Sequence, residues 1–214
     1  MRGLRALGFA EARIPPLAET LERYVRELLL FKNAGLVRAN TRDELVIAHV
    51  LDGLAGVHAI AELAGRERGA HIGDIGSGAG FPGIPLAAAL SEHHFTLVER
   101  MSTRCAFLEN CVALTGLANA AVENAEAERL EKRCFDVCVF RAFRPLDAAT
   151  AKLLLSLTVP NGFLAAYKAK RERIRAEMAH ISAIVPSYEL RTLEAPFQGD
   201  HERALVLIRN GGAT

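Results

Sequence analysis

Residues 71–90 read His71-Ile72-Gly73-Asp74-Ile75-Gly76-Ser77-Gly78-Ala79-Gly80-Phe81-Pro82-Gly83-Ile84-Pro85-Leu86-Ala87-Ala88-Ala89-Leu90, and the fold follows from them. His71 to Ile75 has the character of a short buried strand. Gly76, Gly78, Gly80 and Gly83 crowd a turn, and an apolar helix opens near Gly83 to Pro85. Glycines at this density permit positive φ and let a ligand lie against the main chain, while the free N–H groups of the helix start supply positive potential. A plain turn does not need so many. The pattern is G-x-G-x-G, not G-x-G-x-x-G or a Walker A loop, and no Lys-Ser/Thr follows to hold a triphosphate. The expected guest is a nucleoside cofactor.

Downstream, strand-like runs at Phe95 to Val98, Ala120 to Glu123, Phe135 to Phe140 and Gly162 to Tyr167 alternate with helical segments near Ser102 to Thr115, Pro145 to Leu157 and Arg171 to Ile184. This alternation predicts an α/β fold, a parallel sheet covered on both faces. The last two runs, Tyr188 to Leu193 and Arg203 to Ile208, are joined by a loop with Pro196, Gly199 and Asp200, which leaves no room for a crossover helix. They should pair antiparallel.

Upstream, Leu21, Tyr24, Val25, Leu28 and Leu29 have helical spacing, and Glu44 to Leu54 repeats it with Leu45, Ala48, His49 and Leu51. A loop, Lys32 to Arg42, lies between them. Residues 1–16 end in Pro15-Pro16 without a clean period and are expected to form a loosely packed arm. Arm and helical cap (1–64), a linker at Gly65 to Gly69 and a core (70–214) make up one compact unit.

The chain has 214 residues, half of them hydrophobic, enough for one sizeable core. Its 26 basic and 25 acidic residues give a net charge of +1, so any nucleic-acid site must be a local patch. Cys105, Cys111, Cys134 and Cys138 contain no C-x-x-C pair and read as small hydrophobes, which argues against zinc and for a reducing, cytoplasmic setting. No run approaches the length of a membrane span.

Asp74 to Leu86 resembles motif I of the bacterial small-subunit rRNA guanine-N7 methyltransferases, also called the glucose-inhibited division protein B family. Phe95-Thr96-Leu97-Val98-Glu99, Arg104-Cys105-Ala106-Phe107-Leu108, Phe135-Asp136 with Arg141-Ala142-Phe143, Ala166-Tyr167-Lys168 and His49-Val50-Leu51-Asp52-Gly53-Leu54 continue the likeness in order. The resemblance implies a Rossmann-like, class I methyltransferase with a mostly parallel seven-stranded sheet and a C-terminal antiparallel hairpin. It implies S-adenosylmethionine as cofactor and 16S rRNA or the small ribosomal subunit as partner. The target it implies is N7 of a guanine in a loop near the decoding centre. The family's Asn-Leu-Thr motif is replaced here by Gly35-Leu36-Val37, which bears on the substrate side of the cap.

In open α/β sheets ligands lie beyond the carboxyl ends of the strands. Asp74 and Gly76 end the first strand, and by resemblance Gly76, Gly78 and Phe81 belong to the cofactor site. Glu99 ends the second, where a carboxylate can accept from both ribose hydroxyls; a solvated strand-end charge is the plain alternative. By resemblance Glu126 and Ala127 follow the third strand as adenine-edge contacts, although Glu123, Glu126, Glu128 and Glu131 also read as an acidic face. Arg141 ends the fourth strand among aromatics and should meet the cofactor carboxylate or the RNA backbone, a purely structural pairing being the plain alternative. Lys168, Lys170, Arg171, Arg173 and Arg175 form a basic run that either meets phosphate or is a solvated helix face. His49 and Asp52 share a helix face and read chiefly as structural.

Guanine N7 has a lone pair and no proton to remove, so no catalytic acid, base or nucleophile is assigned. A small-molecule methyltransferase and a non-catalytic, ribosome-associated cofactor-binding module are the alternatives. Arg38, Arg42, Arg141 and Arg144 weigh against the first, and the altered cap loop keeps the second open.

Overall fold

The computed structural model describes residues 1–31, 36–39, 41–65, 69–199 and 201–211. Seven strands, β1 His71–Ile75, β2 His94–Val98, β3 Ala120–Glu123, β4 Phe135–Arg141, β5 Thr158–Lys168, β6 Glu189–Thr192 and β7 Ala204–Arg209, form one sheet in the order β3-β2-β1-β4-β5-β7-β6. The first five are parallel, and β7 runs antiparallel to both β5 and β6. The expected parallel sheet and terminal hairpin are both present. From β1 the chain steps outward to β2 and β3, then returns to place β4 on the other side of β1. The carboxyl ends of β1 and β4 are therefore the switch point at which such sheets bind ligands.

Both faces of the sheet are covered, which is why apolar residues dominate the middle of its central strands. Val137 and Val139 of β4 pack on one side with Ile72, Leu97 and Leu205; Cys138 and Phe140 pack on the other with Ile75, Leu164 and Val206. Successive residues point to opposite faces, as a strand requires. Helices α1 Arg2–Ala6, α2 Ile14–Leu30, α3 Arg42–Leu45, α4 Asp52–Leu54, α5 Val57–Ala64, α6 Gly83–Ala89 and α7 Ser102–Thr115 precede α8 Ala148–Leu157 and α9 Arg171–His180. Leu28, Leu54, Ile60, Ile84 and Leu108 join the first core, whereas Leu154, Leu157, Ile174 and Met178 join the second.

Two expectations are corrected. Residues 1–16 are not a loose arm: Leu4, Leu7, Phe9 and Ile14 are buried, and the Arg13 guanidinium donates to the Ala89 carbonyl. Pro15 and Pro16 lie in the first turn of α2, where the absent N–H groups would have had no helical partner and the fixed φ suits the helix. The prolines start a helix here. The second correction concerns Arg42–Ala64, which at 23 residues and a mean hydropathy of 1.4 is long and apolar enough to cross a membrane by length and composition alone. Half of it is buried within the protein, with Leu45, Val50, Leu51, Leu54, Val57 and Ile60 in the core. The loop 32–42, Gly35 of the altered motif, the linker 65–69 and Asp200 lie wholly or partly outside the described residues.

Candidate functional site

The turn after β1 is held by its own backbone and by β2. The Gly76 and Ser77 N–H groups both donate to the Val98 carbonyl, at 2.9 and 3.0 Å, and the Ser77 hydroxyl donates to the Asp74 carbonyl at 2.9 Å. Gly76 has φ +75°, and a Cβ there would run into the Phe143 ring. Gly80 has φ +101°; a Cβ would lie 2.6 Å from Ile84 Cδ1 and 2.9 Å from the Tyr24 hydroxyl. That hydroxyl donates to the Ala79 carbonyl at 2.6 Å, so α2 clasps the turn from behind. Glycine is needed at both positions, for conformation and for room.

Over this turn lies a cleft of about 410 Å³ lined by residues that follow four strands. Gly76 comes from β1, Glu99 to Met101 and Arg104 from the chain after β2, Ala125 to Ala127 from after β3, and Ala142 to Arg144 from after β4. Glu99 is 5% exposed. Its Oε2 accepts from the Gly78 N–H at 3.1 Å and its Oε1 from the Met101 N–H at 2.9 Å. Each carboxylate oxygen keeps a further lone pair, so the bonds that orient Glu99 leave acceptor capacity toward the cleft. The Arg104 guanidinium stands 3.8 Å from Oε2.

Of the residues expected at the site, Gly76, Glu99, Glu126 and Ala127 line the cleft, and Gly78 adjoins it through its bond to Glu99. Asp74, Phe81 and Arg141 do not line it. Asp74 lies beneath the turn, fully buried, with Oδ2 accepting from the Gly83 N–H at 3.0 Å and Oδ1 without a hydrogen-bond partner among the described residues. Burial pushes its carboxyl up to about 7.

Arg141 turns back to the cap rather than into the cleft. Its Nη1 donates to Asp52 Oδ2 at 2.8 Å and to the Ala48 carbonyl at 3.4 Å, and its guanidinium lies 5.0 Å from the centre of the Phe81 ring. Nη2 lies 3.1 Å from His49 Nδ1, while His49 Nε2 lies 3.2 Å from the Arg38 carbonyl. An arginine only donates, so the His49 proton belongs on Nε2. Burial lowers the His49 pKa, in keeping with the neutral ring. Asp52 Oδ1 takes Arg203 at 2.7 Å and Gln198 at 3.2 Å. The carbonyls of Ile47 and Ala48 are available to Gln198 and Arg141 where Val46–Leu51 widens into a π-helical turn. His49 and Asp52 thus have the structural role read from the sequence, and Arg141 shares it.

The sequence reading did not place Met101, Arg104, Phe143 and Arg144 in the cleft that they line, nor Asn124 behind it. Asn124 follows β3 directly and donates to the carbonyls of Glu99 and Arg100, both at 3.1 Å, fixing the chain beyond β2. An asparagine at a strand end was the available signal. Arg144, in the cleft lining, stacks 4.6 Å from the Phe143 ring centre and pairs with Glu128 at 2.6 Å.

This strand order, with a glycine turn after β1 and an oriented acid after β2, defines the Rossmann-like, S-adenosylmethionine-dependent methyltransferases. A family model described as rRNA small subunit methyltransferase G, GidB, matches residues 17–206. A ribosomal RNA small subunit methyltransferase G of Treponema denticola is 34% identical over 97% of this chain and 92% of its own length. That of Treponema pallidum is 40% identical over 91% and 86%. The chain belongs to the rRNA small subunit methyltransferase G family. Among solved structures, a tRNA (m1A58) methyltransferase of Aquifex aeolicus superposes with a TM-score of 0.58 at 12% identity, over 73% of this chain and 68% of that one, a likeness of fold alone.

The cleft fits the cofactor. Its volume falls in the range of small-ligand sites, roughly 300–1,000 Å³; Glu99 and Glu126 make its walls acidic toward hydroxyl and amino groups, and Gly76 leaves room for the Phe143 ring beside it.

Proposed function

We propose that this protein transfers a methyl group from S-adenosylmethionine to N7 of a guanine in 16S rRNA, presented as free RNA or in the small ribosomal subunit, in the cytoplasm. Membership of the family over residues 17–206 is the observation that carries this reading. The cleft at the switch point agrees with it.

The cofactor supplies an electrophilic methyl group on a sulfonium. Guanine N7 presents an in-plane lone pair and loses no proton, so the chain has to align and exclude water rather than abstract or donate a proton. Glu99 is the residue for the ribose hydroxyls, the chain at Glu126 and Ala127 for the adenine edge, and the Gly76–Gly78 main chain for close approach. Phe143 and Arg144 screen the cleft mouth. Behind the turn, the helices of residues 1–64 brace the 70–214 part through Tyr24, Asp52 and Arg141, so the two parts act as one unit.

The test is methyl transfer from labelled S-adenosylmethionine to naked 16S rRNA, to small subunits and to a panel of small-molecule acceptors. Label in RNA supports the reading. Label in a small molecule alone, or in none of the three, refutes it.

A further inference from the structure

We infer that the exposed cations Lys170, Arg173 and Arg175 around the first turns of α9, with the groove beside them, form a docking surface for the phosphate backbone of RNA. The inference rests on the reading above and names the surface that its substrate uses. The groove has a volume of about 660 Å³ and is lined by Lys170, Arg171, Gln198, His201 and Arg203, together with Glu172 and Glu202.

Its position comes from the sheet. Arg141 of β4 is in register with Tyr167 of β5, so the chain leaving β4 enters the cofactor cleft while the chain leaving the adjacent strand forms this groove. Cleft and groove open along the same edge of the sheet. The groove's far wall is tied to the junction behind the glycine turn, because Gln198 and Arg203 both bond to Asp52. A polynucleotide with one base at the cleft would lay its neighbouring phosphates along this edge.

The charges support the same occupant. Two of the acids near α9 are engaged: Glu177 pairs with Lys168 at 2.9 Å, and Glu202 accepts the Arg171 backbone N–H at 3.1 Å, while Glu172 is exposed in the groove lining. Lys170, Arg173 and Arg175 are exposed and have no ion-pair partner among the described residues. Lys170 and Arg173 are three apart, Arg171 and Arg175 four apart, so like charges are neighbours on the helix, a spacing that works against its stability. Cations in the first turns also oppose the helix dipole. Against Lys170, Arg173 and Arg175 stands the exposed Glu172, so the first turns of α9 keep a net positive charge for a polyanion outside the fold. In a chain of net charge +1, such a local patch is the form an RNA surface has to take.

The test compares two triple variants with equal loss of charge. Lys170→Gln/Arg173→Gln/Arg175→Gln removes the proposed surface. Lys132→Gln/Arg133→Gln/Lys152→Gln removes three exposed cations from another groove, at the amino end of β4. Binding of a 16S rRNA transcript and of small subunits is measured against salt concentration, with S-adenosylmethionine affinity and melting temperature as controls. The α9 variant is expected to lower the slope of log affinity against log salt by about 2–3 and to weaken binding roughly tenfold or more. The control variant should keep the wild-type slope. An unchanged slope in the α9 variant, or an equal change in both, overturns the surface while leaving the function standing. Loss of binding to small subunits with full binding to naked transcript makes the partner a ribosomal protein and also overturns it. Absence of methyl transfer by the wild type would remove function and surface together.

Discussion

Arg141, the last residue of β4, and Asp52, the first residue of α4, are joined at 2.8 Å, and Arg203 closes on the other Asp52 oxygen at 2.7 Å. One buried carboxylate thus ties the switch-point end of the sheet, the helical layer before it and the start of β7. Phe81, carried by the glycine turn, is held between the Arg141 guanidinium and the rings of His49 and Tyr24, whose centres lie 5.3 and 5.4 Å away.

Asp52→Ala is therefore expected to destabilise the protein more than Arg203→Ala does. The loss should be about 2–4 kcal/mol, at or below the usual cost of breaking a buried pair because both arginines keep some contact with solvent. Arg141→Lys should recover only a minor part of the Arg141→Ala loss, since an ammonium lacks the planar fork that serves Asp52 and His49 together. Urea denaturation measures both. In calorimetry these variants should retain near-wild-type S-adenosylmethionine affinity; a large loss of affinity with unchanged stability would return Arg141 to the cofactor.

Two glycines with similar φ separate conformation from contact. Gly76 (φ +75°) has the Phe143 ring where a Cβ would go, whereas Gly116 (φ +70°), after α7, has nothing within 4 Å. Gly116→Ala should cost about 1 kcal/mol of backbone strain. Gly76→Ala should cost more and weaken cofactor binding, because Phe143 must move out of its place in the cleft. Equal costs, with cofactor affinity intact in both, would contradict the geometry.

Asp74 predicts a pH dependence of stability. Its folded pKa, about 7, stands above the ordinary value of 3.8 because burial penalises the charged form. The folded state then binds a proton more readily than the unfolded state. This contribution is fully present below pH 3.8 and is lost as pH rises through about 7. By linkage it amounts to roughly 4 kcal/mol across that window. Asp74→Asn should flatten the profile between these limits, and a slope unchanged in the variant would show that Asp74 does not titrate there.

The parallel strands, the terminal hairpin and the glycine turn were legible because each depends on local pattern: apolar runs, glycine spacing and a connection too short for a helix. Residues 1–16 were misread because proline marks a loop and a helix start equally well, and only the packing of Leu4 and Ile14 distinguishes them. Arg42–Ala64 was read as helical only from Glu44 to Leu54, because the period of its apolar residues does not by itself show that the helix runs on to Ala64. The place of Glu99 in the cleft lining follows from its position at a strand end, but the pairing of Arg141 with Asp52 does not. An arginine at a strand end needs a partner, and that partner, Asp52, lies far off in sequence and depends on how the helical layer folds back.

The central claim is tested most directly by mapping N7-methylguanosine in the 16S rRNA of unmethylated small subunits and of naked transcript after incubation with S-adenosylmethionine and either wild type or Glu99→Gln, with melting temperatures as control. The account predicts a single N7-methylguanosine with wild type. It predicts at least roughly tenfold slower modification by a folded Glu99→Gln at limiting cofactor, the scale of a hydrogen bond to a charged group. No N7-methylguanosine in either RNA, methylation at a different atom, or an unimpaired Glu99→Gln would contradict it.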